Sequence, residues 1–409
     1  MVASRSPPGS SWPDLPPELL GLVLLRIPCH ADRVRLRAVC HLWRRSARLQ
    51  PLPPPLPWVA LPDGSFLRLP DGAVHRVPVP DDDVSQRLSA GSMLFLVHGR
   101  DPTCCLTSPC SAARTPLPEL AFCFPKHKDG CGGKTDPPAP EFTKVVASDH
   151  LVAALTEYKQ VAVSARRPPK GASMSCSTMM WLPPRKTIDI ALFQGKLYVL
   201  TVEEELHVLH FSSSTGELRS VQCIRSIPKK VDYSTPLEWF DPYSTKYCTY
   251  KQYLVASGDR LLLVSRKINQ PSILPYEEPK IHRTRSFEVF QAEGLSSGFG
   301  RWSKMDTLMG HALFVSEGCC KSIPPAAAGC GGAAGAQQDS IYFINERTTR
   351  PREGSIYFTG KTTMIYEDPF LDSGVYNISD NTMMPLPLDN TMVPPEGLRR
   401  PAWLFPEET

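Results

Sequence analysis

Proline occupies 43 of the 409 positions, and that spacing constrains the fold more than any motif does. Each proline fixes φ and lacks an N–H, so it is excluded from helix interiors and from central strands. A chain punctuated about once in ten residues is built from short elements and many turns, which favours β architecture over helical bundles. Hydrophobic residues at 42% and charged residues at 21% are ordinary for a globular chain. The length allows a large core and more than one domain.

The first fifty residues are the exception, because they read as helix. Asp14 can cap a helix whose first turn holds Pro16 and Pro17, where a missing N–H costs nothing, and Glu18 suits the positive end of the dipole. Leu15, Leu19, Leu22 and Val23 then share one face, and Pro28 ends the run. A second helical stretch starts near Asp32 and places Leu36, Val39, Cys40, Trp43 and Ala47 on one side. Arginines 33, 35, 37, 44, 45 and 48 lie between them. Two such helices bury too little surface to be stable alone, so they must pack on the following domain or on a partner.

The arginines also settle where the charge lies. The chain carries a net +4, whereas residues 1–50 hold eight arginines against Asp14, Glu18 and Asp32, an excess of five. The rest is nearly neutral, with no concentrated basic face of the kind nucleic-acid binding requires. Residues 1–11 read as a disordered N-terminus, 12–50 as the helical unit and 51–58, nearly all proline and leucine, as a semi-rigid linker.

From 59 to 409 the expectation is β. Short runs at 66–69, 74–79, 93–97, 144–147, 151–155, 160–163, 188–193 and 196–202 are broken by turn signals. So are those at 205–211, 253–256, 260–265, 287–290, 312–315, 340–344, 355–358 and 374–378. Gly195, Gly258-Asp259 and Gly354 supply hairpin turns. The region is too long for one sandwich, so a propeller is the preferred architecture. Loop insertions are expected near 165–186, 267–285 and 321–339.

Several motifs imitate chemistry. Gly130-Cys131-Gly132-Gly133-Lys134-Thr135 resembles a phosphate loop, but the prolines after it forbid the helix whose N-terminus would bind phosphate. Gly294-Leu295-Ser296-Ser297-Gly298 fits the hydrolase elbow, but a loop between strands is the better reading. Cys104, Cys105, Cys110, Cys123, Cys131 and His127 lack metal-site spacing. Catalytic residues, cofactors and metals are therefore not expected. The longest apolar run, 19–25, is far short of the roughly 20 residues that span a bilayer. Thirteen cysteines behind no secretory signal read as free thiols, in the cytosol, the nucleus or both.

Two stretches carry a family resemblance. Trp12-Pro13-Asp14-Leu15-Pro16-Pro17-Glu18-Leu19 resembles the opening of an F-box, and Arg37-Ala38-Val39-Cys40-His41-Leu42-Trp43-Arg44 resembles its close. The link at Cys29-His30-Ala31 is slightly longer and less apolar than that motif's usual one. Residues 107–118, 188–198, 310–315, 340–343 and 401–406 are similar, in order, to a large plant group with an F-box and a C-terminal propeller-like domain, first catalogued as of unknown function. The resemblance implies a mainly β chain behind a short helical F-box, acting as a non-catalytic substrate receptor of a Skp-cullin-F-box ubiquitin ligase. It implies a Skp-type cullin adaptor and an unidentified target protein as partners, with neither nucleic acid nor membrane. Leu15, Pro16, Leu19, Val39, Cys40 and Trp43 are the implied adaptor contacts, Trp43 the largest. Two rival readings are a decayed F-box that only sequesters its partner and, less favoured, a hydrolase borne on the propeller.

Overall fold

The computed structural model describes residues 12, 15–27, 30–50, 55–61, 64–69, 72–76, 84–98, 103–109, 114–117, 120, 141–165, 179–181, 186–211, 218–227, 248–269, 283–296, 299–325, 336–344, 372–386 and 401–405. Helices are confined to the start: α1 (Pro17–Leu25), α2 (His30–Val39) and α3 (His41–Arg48). The expected second helix is in fact two. Cys40 is extended (φ −156, ψ 168) and its thiol accepts the Trp43 N–H, so it ends α2 and caps α3. Within the unit α1 packs by its other side. Leu20 and Leu24 are buried with Ala47, whereas Leu19, Leu22 and Val23 point outward. Asp14 and Pro28, expected to start and stop α1, lie outside the described residues.

The remainder is six blades of strands around one axis, the fourth and fifth of them joined at their outer edges into one eight-stranded sheet. The first holds β1 (Trp58–Ala60), β2 (Ser65–Arg68) and β3 (Val74–Arg76). The second is the meander β4 (Val84–Ala90), β5 (Met93–His98), β6 (Cys104–Thr107) and β7 (Arg114–Pro116). The third runs β8 (Phe142–Ala147), β9 (Leu151–Thr156), β10 (Val161–Ala165) and β11 (Met179–Trp181). The fourth runs β12 (Thr187–Phe193), β13 (Lys196–Thr201), β14 (Leu206–Phe211) and β15 (Leu218–Ile227). The fifth runs β16 (Cys248–Ser257), β17 (Arg260–Asn269), β18 (Arg283–Glu293) and β19 (Phe299–Met305). The sixth holds β20 (Ala312–Val315), β21 (Cys320–Ile323), β22 (Ser340–Phe343), β23 (Gly374–Asn377) and β24 (Met383–Pro385). Finally β25 (Ala402–Leu404) returns to pair with β1, Trp58 opposite Leu404, and completes the first sheet.

The innermost strands β25, β4, β8, β12, β16 and β21 lie side by side around the axis. This is a six-bladed propeller among the described residues, and closure by the last strand removes the open sheet edge a linear array would leave. Between neighbouring blades lie successive apolar layers, such as Val255, Val264, Leu313, Ile341 and Phe343 between blades five and six. There the Arg266 guanidinium adds a buried clamp. It donates to Thr284 Oγ1 (2.8 Å), the Ile344 carbonyl (3.2 Å) and Asp372 Oδ2 (2.9 Å).

Fifteen of the sixteen expected strands form, and the sixteenth, 355–358, lies outside the described residues. The strands run into all three expected insertions: Ala165 ends β10, and 179–181 form β11. Residues 267–269 and 283–285 extend the long hairpin of blade five, and 321–323 belong to the inner strand of blade six. Of the elbow-like sequence, residues 297–298 lie outside the described residues, and the strand β19, not a helix, begins at Phe299.

Candidate functional site

Among the described residues, 16 large apolar side chains are exposed, and eight of them lie in the helical unit: Trp12, Leu19, Leu22, Val23, Val34, Val39, Leu42 and Leu49. Scattered exposure on a protein surface needs no explanation, but this concentration in a small unit marks an interaction face. The cause is local. The unit's own core takes Leu20, Leu24 and Ala47, with Leu15, Leu36 and Trp43 partly buried against it. Three short helices have no further interior, so the outer apolar stripe of α1 and the flank of α3 stay uncovered.

The six residues expected at this site fall into two groups. Leu19 (48% exposed), Val39 (64%) and Pro16 stand on the outer surface. Leu15, Cys40 and Trp43 are half-buried, and two of them shape the unit itself. The Trp43 indole N–H donates to the Trp12 carbonyl at 3.0 Å and so ties the segment before α1 to α3. Leu22, Val23, Leu42 and Leu49 were not in the expected set, although the same 3.6-residue periodicity marks them once the inward face is known.

The unit is fastened to the propeller, at a definite place. Ala31 of α2 packs against the cluster of Trp58, Phe66, Leu94, Leu96, Cys105 and Leu404. Asp32 accepts from Arg35 of its own helix (2.7 Å) and from Arg68 of β2 (2.6 Å). Within the expected linker, 51–58, Leu56 is already buried in the core that joins blades one and six, and Trp58 opens β1. Register fixes which end of the propeller this is. Arg68 stands opposite Trp58, Trp58 opposite Leu404, and the Phe405 N–H donates to the Gly91 carbonyl in the β4–β5 turn. The helices therefore sit at the end where inner strands turn into their second strands, over blades one and two.

A buried ion pair lies among the inner strands. The Lys144 ammonium of β8 lies 2.7 and 2.8 Å from the two Asp189 oxygens of β12, with the Cys320 thiol of β21 3.6 Å away. Asp189 also accepts the Leu254 and Ile190 N–H groups (2.7 and 2.8 Å). Burial alone would lower the Lys144 pKa, but the facing carboxylate outweighs it and the pKa is raised, so the ammonium persists. Burial pushes the Cys320 thiol up to about 12, against the pull of Lys144, which makes it a poor nucleophile.

A second polar cluster lies between blades five and six. His311 Nδ1 is 3.0 Å from Ser322 Oγ, and Ser257 Oγ is 2.8 Å from Ser322 Oγ. Burial and the nearby Arg260 lower the His311 pKa and favour a neutral imidazole, which shares a hydrogen bond with the Ser322 hydroxyl. Ser257 is fully buried, and among the described residues no carboxylate bonds this ring. The cluster thus pins β16, β21 and the turn before β20 together. Sequence reading missed it because the three residues are distant in the chain.

Of the thiol cluster, Cys104 and Cys105 are buried on β6, while Cys110, Cys123, Cys131 and His127 lie outside the described residues, as does the phosphate-loop-like stretch. Among the described residues no helix is long and apolar enough to cross a membrane.

The comparisons with known proteins agree with this division. A family profile for the F-box domain matches residues 12–54, and one described as KIB1-4 beta-propeller matches residues 66–377. No curated protein matches the chain. Among solved structures, a chain of the S. cerevisiae Dbp5 complex with Nup159 and Gle1 is similar at 11% identity and a TM-score of 0.30, over 63% of this chain and 65% of that one. The N-terminal domain of Nup159 gives 9% and 0.32, over 83% and 80%. The Dos1 propeller gives 11% and 0.31, over 57% and 52%.

Proposed function

The chain belongs to the KIB1-4 beta-propeller family and carries an F-box ahead of its propeller, and on that premise we propose that it is the substrate-recognition subunit of a Skp-cullin-F-box ubiquitin ligase. The observation that carries the proposal is the uncovered apolar face of the F-box, where half of the exposed large apolar side chains of the described residues gather. In this reading Leu19, Val39 and Pro16 touch the Skp-type adaptor directly, joined by Leu22, Val23 and Leu42. Leu15, Cys40 and Trp43 reach the adaptor at their open edges and hold the helices in position. The propeller binds a target protein, and the shared scaffold raises the target's effective concentration at the ubiquitin-charged enzyme. Bond making is left to other subunits, and the complex works in the cytosol or the nucleus.

The test is adaptor affinity of the full chain and of the double variant Leu19→Asp/Leu22→Asp. Both positions are exposed, so the melting temperature should hold, while two charges on the apolar face should weaken binding by 30-fold or more (about 2 kcal/mol). Undiminished affinity would remove the face from the reading. A wild-type chain that ignores the adaptor would leave only the sequestering role. Affinity purification with the proteasome inhibited then identifies the target.

A further inference from the structure

We propose that the surface seated on the F-box is acidic as well as apolar, and that Arg44, Arg45 and Arg48 of α3 face carboxylates of the adaptor. This inference rests on the ligase reading above and specifies its partner. α3 divides into sides by the helical repeat. Trp43 and Ala47 face inward, Leu42, Arg45 and Leu49 form one outer stripe, and Arg44 with Arg48 forms the next. All three arginines are exposed, beside the exposed Leu42 and Leu49. Among the described residues none of the three is paired with a carboxylate. Arg44 donates its Nε–H to the Arg37 carbonyl at 3.3 Å, which uses one of five donors. Asp32 is already engaged by Arg35 and Arg68.

The plain alternative is a solvated basic face. The helix dipole favours cations in a last turn, and that explains the position of Arg45 and Arg48. It does not explain why Leu42 and Leu49 stay exposed on either side of Arg45, since helix stability gains nothing from bare leucine. Nor does it explain the distribution of charge. The first fifty residues carry an excess of five positive charges, and the other 359 a net of about −1. Mixed leucine and unpaired guanidinium fit a partner with an apolar groove rimmed by carboxylates. Charges at such a rim steer encounter and fix register more than they add affinity.

The experiment measures binding of a purified Skp-type adaptor to the full chain across a salt series, with Arg44→Glu/Arg45→Glu/Arg48→Glu and the milder Arg44→Gln/Arg45→Gln/Arg48→Gln. Screening shortens from about 10 Å at 0.1 M salt to about 3 Å at 1 M. Wild-type affinity should therefore fall as salt rises. The glutamate variant should bind on the order of 10- to 100-fold more weakly at low salt, and more tightly as salt rises. The glutamine variant should lie between them with a flattened salt dependence, at an unchanged melting temperature. Equal affinity in all three chains, insensitive to salt, overturns the acidic rim and leaves the apolar docking intact. A wild-type chain that binds no adaptor overturns both. Wild-type binding to phosphatidylserine vesicles at concentrations where the adaptor is not bound, lost in the glutamate variant, assigns the patch to a lipid surface and overturns the proposal.

Discussion

At Lys144 and Asp189 the propeller commits two charges to its driest region. Both side chains are almost wholly buried, yet each is met: two short contacts join them, and two backbone N–H groups complete the carboxylate. A buried pair of this kind contributes little net stability over an apolar pair, but losing one partner strands the other, at a cost of about 3–5 kcal/mol. Lys144→Met should cost that amount, read as a lower denaturant midpoint at constant slope. Adding Asp189→Asn should recover part of the loss. The amide is uncharged, and its oxygen can still accept one of the two backbone N–H groups. Lys144→Met with the wild-type midpoint would show that the pair does not hold the blades. The value of the arrangement is geometric, because Asp189 bonds blade three through Lys144 and blade five through the Leu254 N–H.

Elements explain what the sequence could and could not disclose. Second strands such as β13 and β17 announce themselves as apolar runs at Leu197–Leu200 and Leu261–Val264. The inner strands are uneven: β8, β12 and β16 are legible at 144–147, 188–193 and 253–256, whereas β4, β21 and β25 are not. β4 reads Val-Ser-Gln-Arg-Leu-Ser-Ala and was passed over, because its polar groups bond to the inner strands on either side: Gln86 Oε1 accepts the Phe142 N–H and Ser89 donates to the Trp403 carbonyl. In β4, β8 and β12 alike the register slips one residue before a polar side chain, Gln86, Lys144 or Asp189, a repeat of geometry with no repeat of letters. In the F-box, periodicity found the helices and the stripe of Leu19, Leu22 and Val23 but not the second apolar side of α1, Leu20 and Leu24, since only tertiary contact says which side is covered. Blade six shows a constraint that no pattern reveals. A Cβ on Gly374 would lie 2.6 Å from the Met384 carbonyl oxygen and 3.2 Å from the Phe343 ring, where β23 and β24 pair. Neither can move without breaking the pairing, so Gly374→Ala should destabilise the protein by about 1–3 kcal/mol, visible in its melting temperature. An unchanged melt would mean that the edge strand yields freely.

For the whole molecule, the decisive contact is between the two ends of the propeller. β25 supplies the inner strand of a sheet that otherwise begins at Trp58, and Trp403 is its anchor. That side chain is fully buried, its indole N–H donates to the Val315 carbonyl at 3.1 Å, and its ring stands edge-on to Phe314 at 5.2 Å. One residue thus joins blade one to blade six, while Ser89 and the Gly91 carbonyl join the same strand to blade two. The F-box depends on this closure, because the cluster that receives Ala31 includes Leu404 beside Trp58 and Leu96. Trp403→Ala should cost about 3–5 kcal/mol from the lost burial and the cavity it leaves. Deleting residues 401–409 should do more. It would strip β1 of its inner neighbour and expose an unpaired strand edge, which is a template for association. The substitution should therefore melt early but remain monodisperse in size-exclusion chromatography, whereas the truncated chain should self-associate and lose adaptor binding with it. If the truncated chain ran as a monomer and melted with wild type, closure by β25 would not be what holds the ring.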